Sequence, residues 1–163
     1  MQEIERKFLV NNLDFKKEAS SSNTIRQAFI SRHPERTVRV RQYGNRAFLT
    51  IKGKSSEDGT TRMEWEKEIT IAEAKQLFAV CEDGEIHKER YLVQLEDFTF
   101  EVDEFFGENK GLIIAEIELS SANQAFPKPA WLGKEVTGDV RFYNSQLSKN
   151  PFSGFSDEIY NIP

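Results

Sequence analysis

The stretch Thr37-Val38-Arg39-Val40-Arg41-Gln42-Tyr43-Gly44-Asn45-Arg46-Ala47-Phe48-Leu49-Thr50-Ile51-Lys52 decides how this chain is read. Side chains alternate with a period of two on both sides of Tyr43-Gly44-Asn45, the pattern of two strands joined by a tight hairpin turn. Arg39 and Arg41 share one face of the first strand, opposite Val38 and Val40. Thr50 and Lys52 share one face of the second, opposite Leu49 and Ile51.

The same alternation recurs outward in both directions, at Glu3–Val10, Ser22–Ser31, Thr61–Ile69, Ile86–Gln94, Phe98–Phe106 and Leu112–Leu119. Ser55-Ser56-Glu57-Asp58-Gly59 reads as a longer loop, and Gly107-Glu108-Asn109-Lys110-Gly111 as a further hairpin connection. Helix signals are few. Thr70 and Glu73 form a capping box ahead of a helix that stops near Asp83-Gly84. A short helix is expected from Ser120 or Ser121 to before Pro127, and another over Arg141–Lys149. Eight strands with few helices predict a mainly β (α+β) fold, an eight-stranded antiparallel closed β-barrel with a few flanking helices.

The polar faces of these strands carry full charges and few neutral polar groups. Glu3, Glu5 and Lys7 oppose Ile4 and Phe8; Arg62, Glu64, Glu66 and Glu68 oppose Met63, Trp65 and Ile69. Lys88 and Arg90 share a face, as do Glu101 and Asp103, and Glu116 and Glu118. Like charges two apart on a strand repel one another, so they contribute nothing to a merely solvated sheet. Carboxylate pairs suit a hard divalent cation, and paired Arg and Lys suit phosphate oxygens. With these faces turned inward, an eight-stranded barrel is a polar tunnel wide enough for side chains or one small ligand. Its apolar outer faces then need the helices and the aromatic C-terminal tail as cover.

Length and composition narrow the class. At 163 residues the chain reads as one domain over 1–163, with 1–150 forming the tunnel and its covering helices and 151–163 a tail packing on the barrel. The lone Cys81 has no partner for a disulfide, which predicts a reducing compartment, the cytoplasm. The charged start Glu3-Ile4-Glu5-Arg6-Lys7 is not a signal peptide, and no apolar run approaches a membrane span. A net charge of −5 argues against a nucleic-acid track. His33 and His87 lack metal-ligand spacing and read as structural, Cys81 as packing, and Trp65, Phe98 and Phe100 as core or barrel cover.

Glu3-Ile4-Glu5-Arg6-Lys7 resembles the Glu-x-Glu-x-Lys signature of the CYTH domain, or triphosphate tunnel metalloenzyme, family. In family order follow Arg39-Val40-Arg41, Leu49-Thr50-Ile51-Lys52, Arg62-Met63-Glu64-Trp65-Glu66, Lys88-Glu89-Arg90-Tyr91, Glu101-Val102-Asp103 and Glu116-Ile117-Glu118. Trp131-Leu132-Gly133-Lys134-Glu135-Val136-Thr137 resembles the closing motif of small bacterial inorganic triphosphatases. The resemblance implies a tunnel holding a triphosphate and Mg²⁺ or Mn²⁺. It makes Glu3, Glu5, Asp103, Glu116 and Glu118 the metal ligands, with Glu64 and Glu66 as lesser candidates. Lys7, Arg39, Arg41, Lys52, Arg62, Lys88 and Arg90 become the phosphate contacts, with Lys52 or Lys88 assisting proton transfer.

The activity implied is metal-dependent hydrolysis of a phosphoanhydride bond in a small-molecule triphosphate, foremost inorganic tripolyphosphate, by a monomer or homodimer. Related alternatives are a nucleoside or thiamine triphosphatase, a class IV adenylyl cyclase, or a polyphosphate- or nucleotide-binding module without turnover. Gln27-Ala28-Phe29 stands where many members carry Gln-x-Tyr. The tyrosine associated with thiamine triphosphate preference is therefore absent.

Overall fold

The computed structural model describes residues 2–160, Tyr160 by its backbone alone. Its strands are β1 (Gln2–Val10), β2 (Ser21–Ser31), β3 (Arg36–Tyr43), β4 (Arg46–Gly53), β5 (Thr61–Ile69), β6 (Ile86–Leu95), β7 (Phe98–Phe105), β8 (Ile113–Glu118) and β9 (Leu132–Glu135). The first eight lie where the alternation predicts them, with each end within one residue. They run in the order β5-β4-β3-β2-β6-β7-β8-β1, every neighbouring pair antiparallel. β1 closes the ring on β5 through the register Gln2↔Met63, Glu3↔Arg62 and Ile4↔Thr61.

β9 is added outside the ring, where it pairs with the end of β1. At four residues it is too short to show a period, so only its motif marks it in the sequence. The segment acts as a staple on β1. Thr137 Oγ1 accepts from Lys7 N at 2.9 Å, Val136 N donates to Lys7 O at 2.8 Å, and Arg6 forks onto Glu135 at 2.6 and 2.8 Å. With Arg6 held outside, its neighbours Glu5 and Lys7 face inward.

The helices depart from expectation in four ways. α1 (Phe15–Glu18), a single turn, carries no sequence signal. α2 (Ile71–Phe78) has the full capping box and ends before Asp83, since Cys81 and its neighbours turn rather than continue the helix. The helix expected after Ser120 does not form. Only one turn bond closes there, Gln124 N to Ser121 O at 3.2 Å, and Pro127 and Pro129 prevent continuation. Residues 141–149 split into a 3₁₀ turn, Val140–Phe142, and α3 (Asn144–Lys149), separated by an extended Tyr143 (φ −70°, ψ 135°). A further 3₁₀ turn (Phe152–Gly154) and α4 (Ser156–Tyr160) follow. Among the described residues, no helix is long and apolar enough to cross a membrane.

Three apolar clusters pack on the ring, two outside it and one at its end. α2 covers the outer face of β3 and β4, placing Ala74, Leu77 and Phe78 on Val40, Ala47 and Leu49. Phe15, Phe126 and Trp131 cover the outer face of β1, β6, β7 and β8, over Phe8, Val93, Phe100 and Ile117. Trp131 lies edge-on to Phe100 at 5.4 Å between ring centroids, and its indole N–H donates to Glu18 at 2.8 Å.

The third cluster is placed differently from expectation. Leu9, Phe29, Ile86, Phe105 and Ile114 share the inward face of their strands. Phe142, Leu147, Phe152 and Phe155 pack onto them. The C-terminal aromatics thus close one end of the ring instead of covering its outside; the side chain of Tyr160 and residues 161–163 lie outside the described residues. Truncating Trp131, which is 2% exposed, should cost about 3–5 kcal/mol of stability. Urea unfolding of Trp131→Ala measures this, with unchanged activity per folded molecule expected because the indole lies outside the lumen.

Candidate active site

Cross-strand register turns the charged faces toward one another inside the ring. Glu3 stands opposite Arg62, Glu5 opposite Glu118, and Lys7 opposite Glu116. Arg39 faces Thr50, which faces Glu66; Lys52 faces Glu64; Arg90 faces Asp103; Glu101 faces Glu116. Every charged residue named for metal or phosphate from the sequence therefore lies on the inward face.

The lumen has two adjoining compartments that share lining side chains. The first is lined by the carboxylates Glu3, Glu5, Glu64, Glu66, Glu101, Glu116 and Glu118, with Arg39, Arg41, Lys52 and Arg90. The second is lined by Lys7, Arg39, Lys52 and Arg62, and Glu5 is its single carboxylate. Glu5, Arg39 and Lys52 line both. Charge is thus graded along the axis, acidic in the first compartment and cationic in the second.

Ion pairs hold the lumen's wall. Asp103 accepts from Arg90 Nε and Nη2 at 2.8 and 2.9 Å and from Lys88 Nζ at 2.8 Å. Lys88 donates also to Asn144 Oδ1 at 3.0 Å, is 1% exposed and lines neither compartment. Burial pushes its ammonium down to about 8 against the pull of Asp103. For Arg90, Asp103 and Glu101 outweigh burial and hold the guanidinium charge firmly. Lys52 Nζ reaches Glu3 at 2.8 Å and Glu64 at 3.3 Å. Lys7 lies 3.6 Å from Glu116 and 4.0 Å from Glu5.

The carboxylates separate by environment. Burial and the Glu116 charge push Glu5 well up, while Glu116, although buried, is drawn far down by Lys7 and Arg90. Burial raises Glu3 and Glu118 as well. Burial thus makes the ionised form of three acids near the first compartment costly.

Two guanidiniums are incompletely paired. Arg39 and Arg41 reach Glu66 only at 3.6 and 3.5 Å, and their buried Nε–H groups find no partner among the described residues. Burial, Arg39 and Arg90 weaken the hold of Arg41 on its proton, and Glu66 and Glu101 offset this only in part. Buried donors without acceptors are costly unless a ligand supplies the acceptor.

The match to known proteins agrees with this geometry. The CYTH domain signature covers residues 1–143. The chain belongs to the CYTH domain family. An inorganic triphosphatase of Acetivibrio thermocellus is 46% identical over 157 residues, 96% of this chain and 99% of that protein. One from Nitrosomonas europaea is 37% identical over 152 residues, 91% and 97% of the two chains. A crystal structure of an inorganic triphosphatase superposes with a TM-score of 0.63 at 34% identity, covering 90% of this chain and 93% of that one. A Hippeastrum protein with a dominant triphosphatase activity shares the fold alone, at TM-score 0.59 and 15% identity over 73% of this chain and 80% of its own.

The donor set of this CYTH domain fits a divalent ion by its chemistry: oxygen ligands only, with Glu5 and Glu118 adjacent across the β1–β8 pair. Among the described residues, no three His, Cys, Asp or Glu side chains converge on one point as they stand. Asp103 is the exception within the set, since both its oxygens are engaged by Arg90 and Lys88.

Three lumen residues escaped the sequence reading. Tyr143, Asn144 and Ser145 reach the second compartment from the segment that closes the ring. Their only sequence signal was the expected Arg141–Lys149 helix, which Tyr143 interrupts and Asn144 and Ser145 resume. Phe29 sits at that same end and supplies no hydroxyl. The His33 ring accepts from Glu35 N, the His87 ring lies beside Glu85, and Cys81 donates to Leu77 O at 3.3 Å.

Replacing Arg41 by methionine removes a buried, under-paired cation and keeps most of its bulk. A guanidinium does not shed its proton at working pH. Its burial cost therefore falls on the ligand-free fold at every accessible pH. Arg41→Met should melt higher than wild type without ligand and gain less on adding tripolyphosphate. Thermal melts with and without that anion make the comparison.

Proposed function

We propose that this CYTH domain is a divalent-metal-dependent hydrolase that cleaves a phosphoanhydride bond of inorganic tripolyphosphate. The observation that carries the reading is the pair of buried guanidiniums, Arg39 and Arg41, whose Nε–H groups lack acceptors among the described residues, facing a compartment where seven carboxylates meet four cations. A polyanion satisfies the first and a divalent cation the second. The named inorganic triphosphatases at 46% and 37% identity, matched over nearly their whole length, support it.

The grading of charge suggests the assignment of roles. Glu3, Glu5, Glu116 and Glu118 would hold Mg²⁺ or Mn²⁺, both hard ions that prefer oxygen. When bound, the ion supplies Lewis-acid polarisation of phosphoryl oxygens. Asp103 leaves the ligand set and fixes Lys88 and Arg90 instead. Lys7, Arg39, Lys52 and Arg62 grip the phosphates of the chain in the second compartment, with Arg41 and Arg90 facing the first. Phosphoryl transfer requires chiefly positioning and neutralisation of charge on oxygen, which such a lining supplies.

Of the two lysines, the reading assigns substrate contact to Lys52, and its presence in the lining of both compartments supports this. As water adds to phosphorus and the bridging P–O bond breaks, Lys52 neutralises the leaving oxygen and can lend it a proton. Lys88 acts through Asp103, Arg90 and Asn144 as a positioning cation. The protein works in the cytoplasm as a monomer or homodimer, with residues 1–163 forming one domain.

Phosphate release should be abolished by EDTA and nearly so by Glu5→Gln, and tripolyphosphate should be hydrolysed well ahead of ATP and thiamine triphosphate. Full turnover by the metal-stripped protein, or cyclic AMP as the main product, would overturn the reading.

The lysines separate by kinetics. Lys52→Met should lower kcat by about 100-fold or more, because it removes the cation that meets the developing charge. Lys88→Met should lower kcat less, and its melting temperature should stay near wild type because Arg90 still neutralises Asp103. Steady-state kinetics and melting curves on both variants decide.

A further inference from the structure

The second compartment does not end in solid core. Thr37, Ser55, Gly59, Arg62, Tyr143 and Ser145 line it from within and also line a cleft on the outer surface. At that point the lumen and the outside share one wall of side chains. Tyr143 stands in this wall. The Lys7 ammonium lies 5.0 Å from its ring centroid on the lumen side, and its hydroxyl is 3.5 Å from Ser55 Oγ.

The loop behind Ser55 is held rigidly. Asp58 Oδ1 accepts from Ser56 Oγ at 2.6 Å, Thr60 Oγ1 at 2.7 Å and Thr60 N at 3.0 Å. Gly59 (φ +77°) packs against Gly138 (φ +81°) so closely that a Cβ on Gly59 would lie 2.3 Å from Gly138 Cα. The same Cβ would lie 3.3 Å from the Tyr143 hydroxyl. The Ser55–Tyr143 contact, by contrast, is at the outer limit of a hydrogen bond. Packing of the ring, rather than that bond, closes the wall. The ring occupies this position because Tyr143 is the extended residue between the Val140–Phe142 turn and α3.

Charge stops at the same place. Inside, Lys7, Arg39, Lys52 and Arg62 face one carboxylate; outside, Glu35 and Glu57 offset Lys54 and Arg62. A phosphate chain drawn in by the cations loses its electrostatic gain at the wall. We propose that Tyr143 is a specificity-determining residue that sets the length of phosphate chain the lumen accepts, its ring being the end wall against which the terminal phosphate rests. The inference rests on the triphosphate reading of the lumen. Linear polyphosphates longer than the lumen are excluded by the ring and would thread toward the outer cleft once it is removed.

The test compares tripolyphosphate with long-chain linear polyphosphate on wild type, Tyr143→Phe and Tyr143→Ala. Two readouts are taken: kcat/KM with Mg²⁺, and calorimetric Kd in EDTA. Tyr143→Ala should shift both long-to-short ratios toward the long chain by about tenfold or more, whereas Tyr143→Phe, which keeps the ring, should shift them by less than about threefold. A Tyr143→Ala protein with a wild-type melting transition and unshifted ratios would overturn the proposal. If the alanine variant does not fold, Tyr143→Leu is judged by the same thresholds. Wild-type failure to hydrolyse tripolyphosphate would overturn the proposed function, while the metal-free Kd ratios would still decide whether Tyr143 is the wall.

Discussion

The structure depends on one constraint: the charged face of the sheet is turned inward, so its apolar face must be covered from outside. An ordinary amphipathic sheet does the reverse. Here α2 covers β3 and β4, and the Phe15, Phe126 and Trp131 group covers β1, β6, β7 and β8. These covers are short, because each has only to hide one patch of Val, Phe and Ile side chains. The ring can therefore close on the short β1–β5 seam without a large core inside it.

Turning charge inward requires that most of it be paired. Asp103 between Lys88 and Arg90 meets that requirement, since three buried charges satisfy one another through short bonds. Removing the acid would leave two buried cations, which is the costly kind of change to a buried ion pair. Arg39, Arg41, Glu3, Glu5 and Glu118 are left under-compensated within the same lumen. Where pairing is incomplete the protein retains electrostatic free energy for a ligand, and where it is complete the wall is rigid. Binding and rigidity thus come from one set of residue types, divided by how well each finds a partner.

The C-terminal segment links the fold to the site. Its aromatics pack on the inward apolar residues Leu9, Phe29, Ile86, Phe105 and Ile114 and close one end of the ring. Closing that end brings Tyr143, Asn144 and Ser145 to the second compartment. Asn144 Oδ1 then accepts from both Lys88 and Gln27, at 3.0 and 2.9 Å, and ties the closing segment to β6 and β2. The same segment thus ties the apolar closure of the ring to the cationic compartment.

The sequence by itself determined the eight strands, their faces and the identity of every charged group in the lumen. A period of two is a local property: Arg39 and Arg41 must share a face whatever the rest of the chain does. The Thr70–Glu73 cap was legible for the same reason, being complete within four residues. Only tertiary structure decided which charges are neutralised. Lys52 and Lys88 read alike along the chain, yet one lines both compartments and the other is buried against Asp103 and Asn144, because cross-strand register sets their partners. Asp103 looked like Glu116 and Glu118 until Arg90 was found opposite it. Tyr143 read only as part of an expected helix, since its place at the second compartment arises from contacts with residues up to 136 positions away, such as Lys7. Alternation along a strand is fixed by local backbone geometry, whereas pairing and closure depend on distant segments meeting, and no local pattern records that.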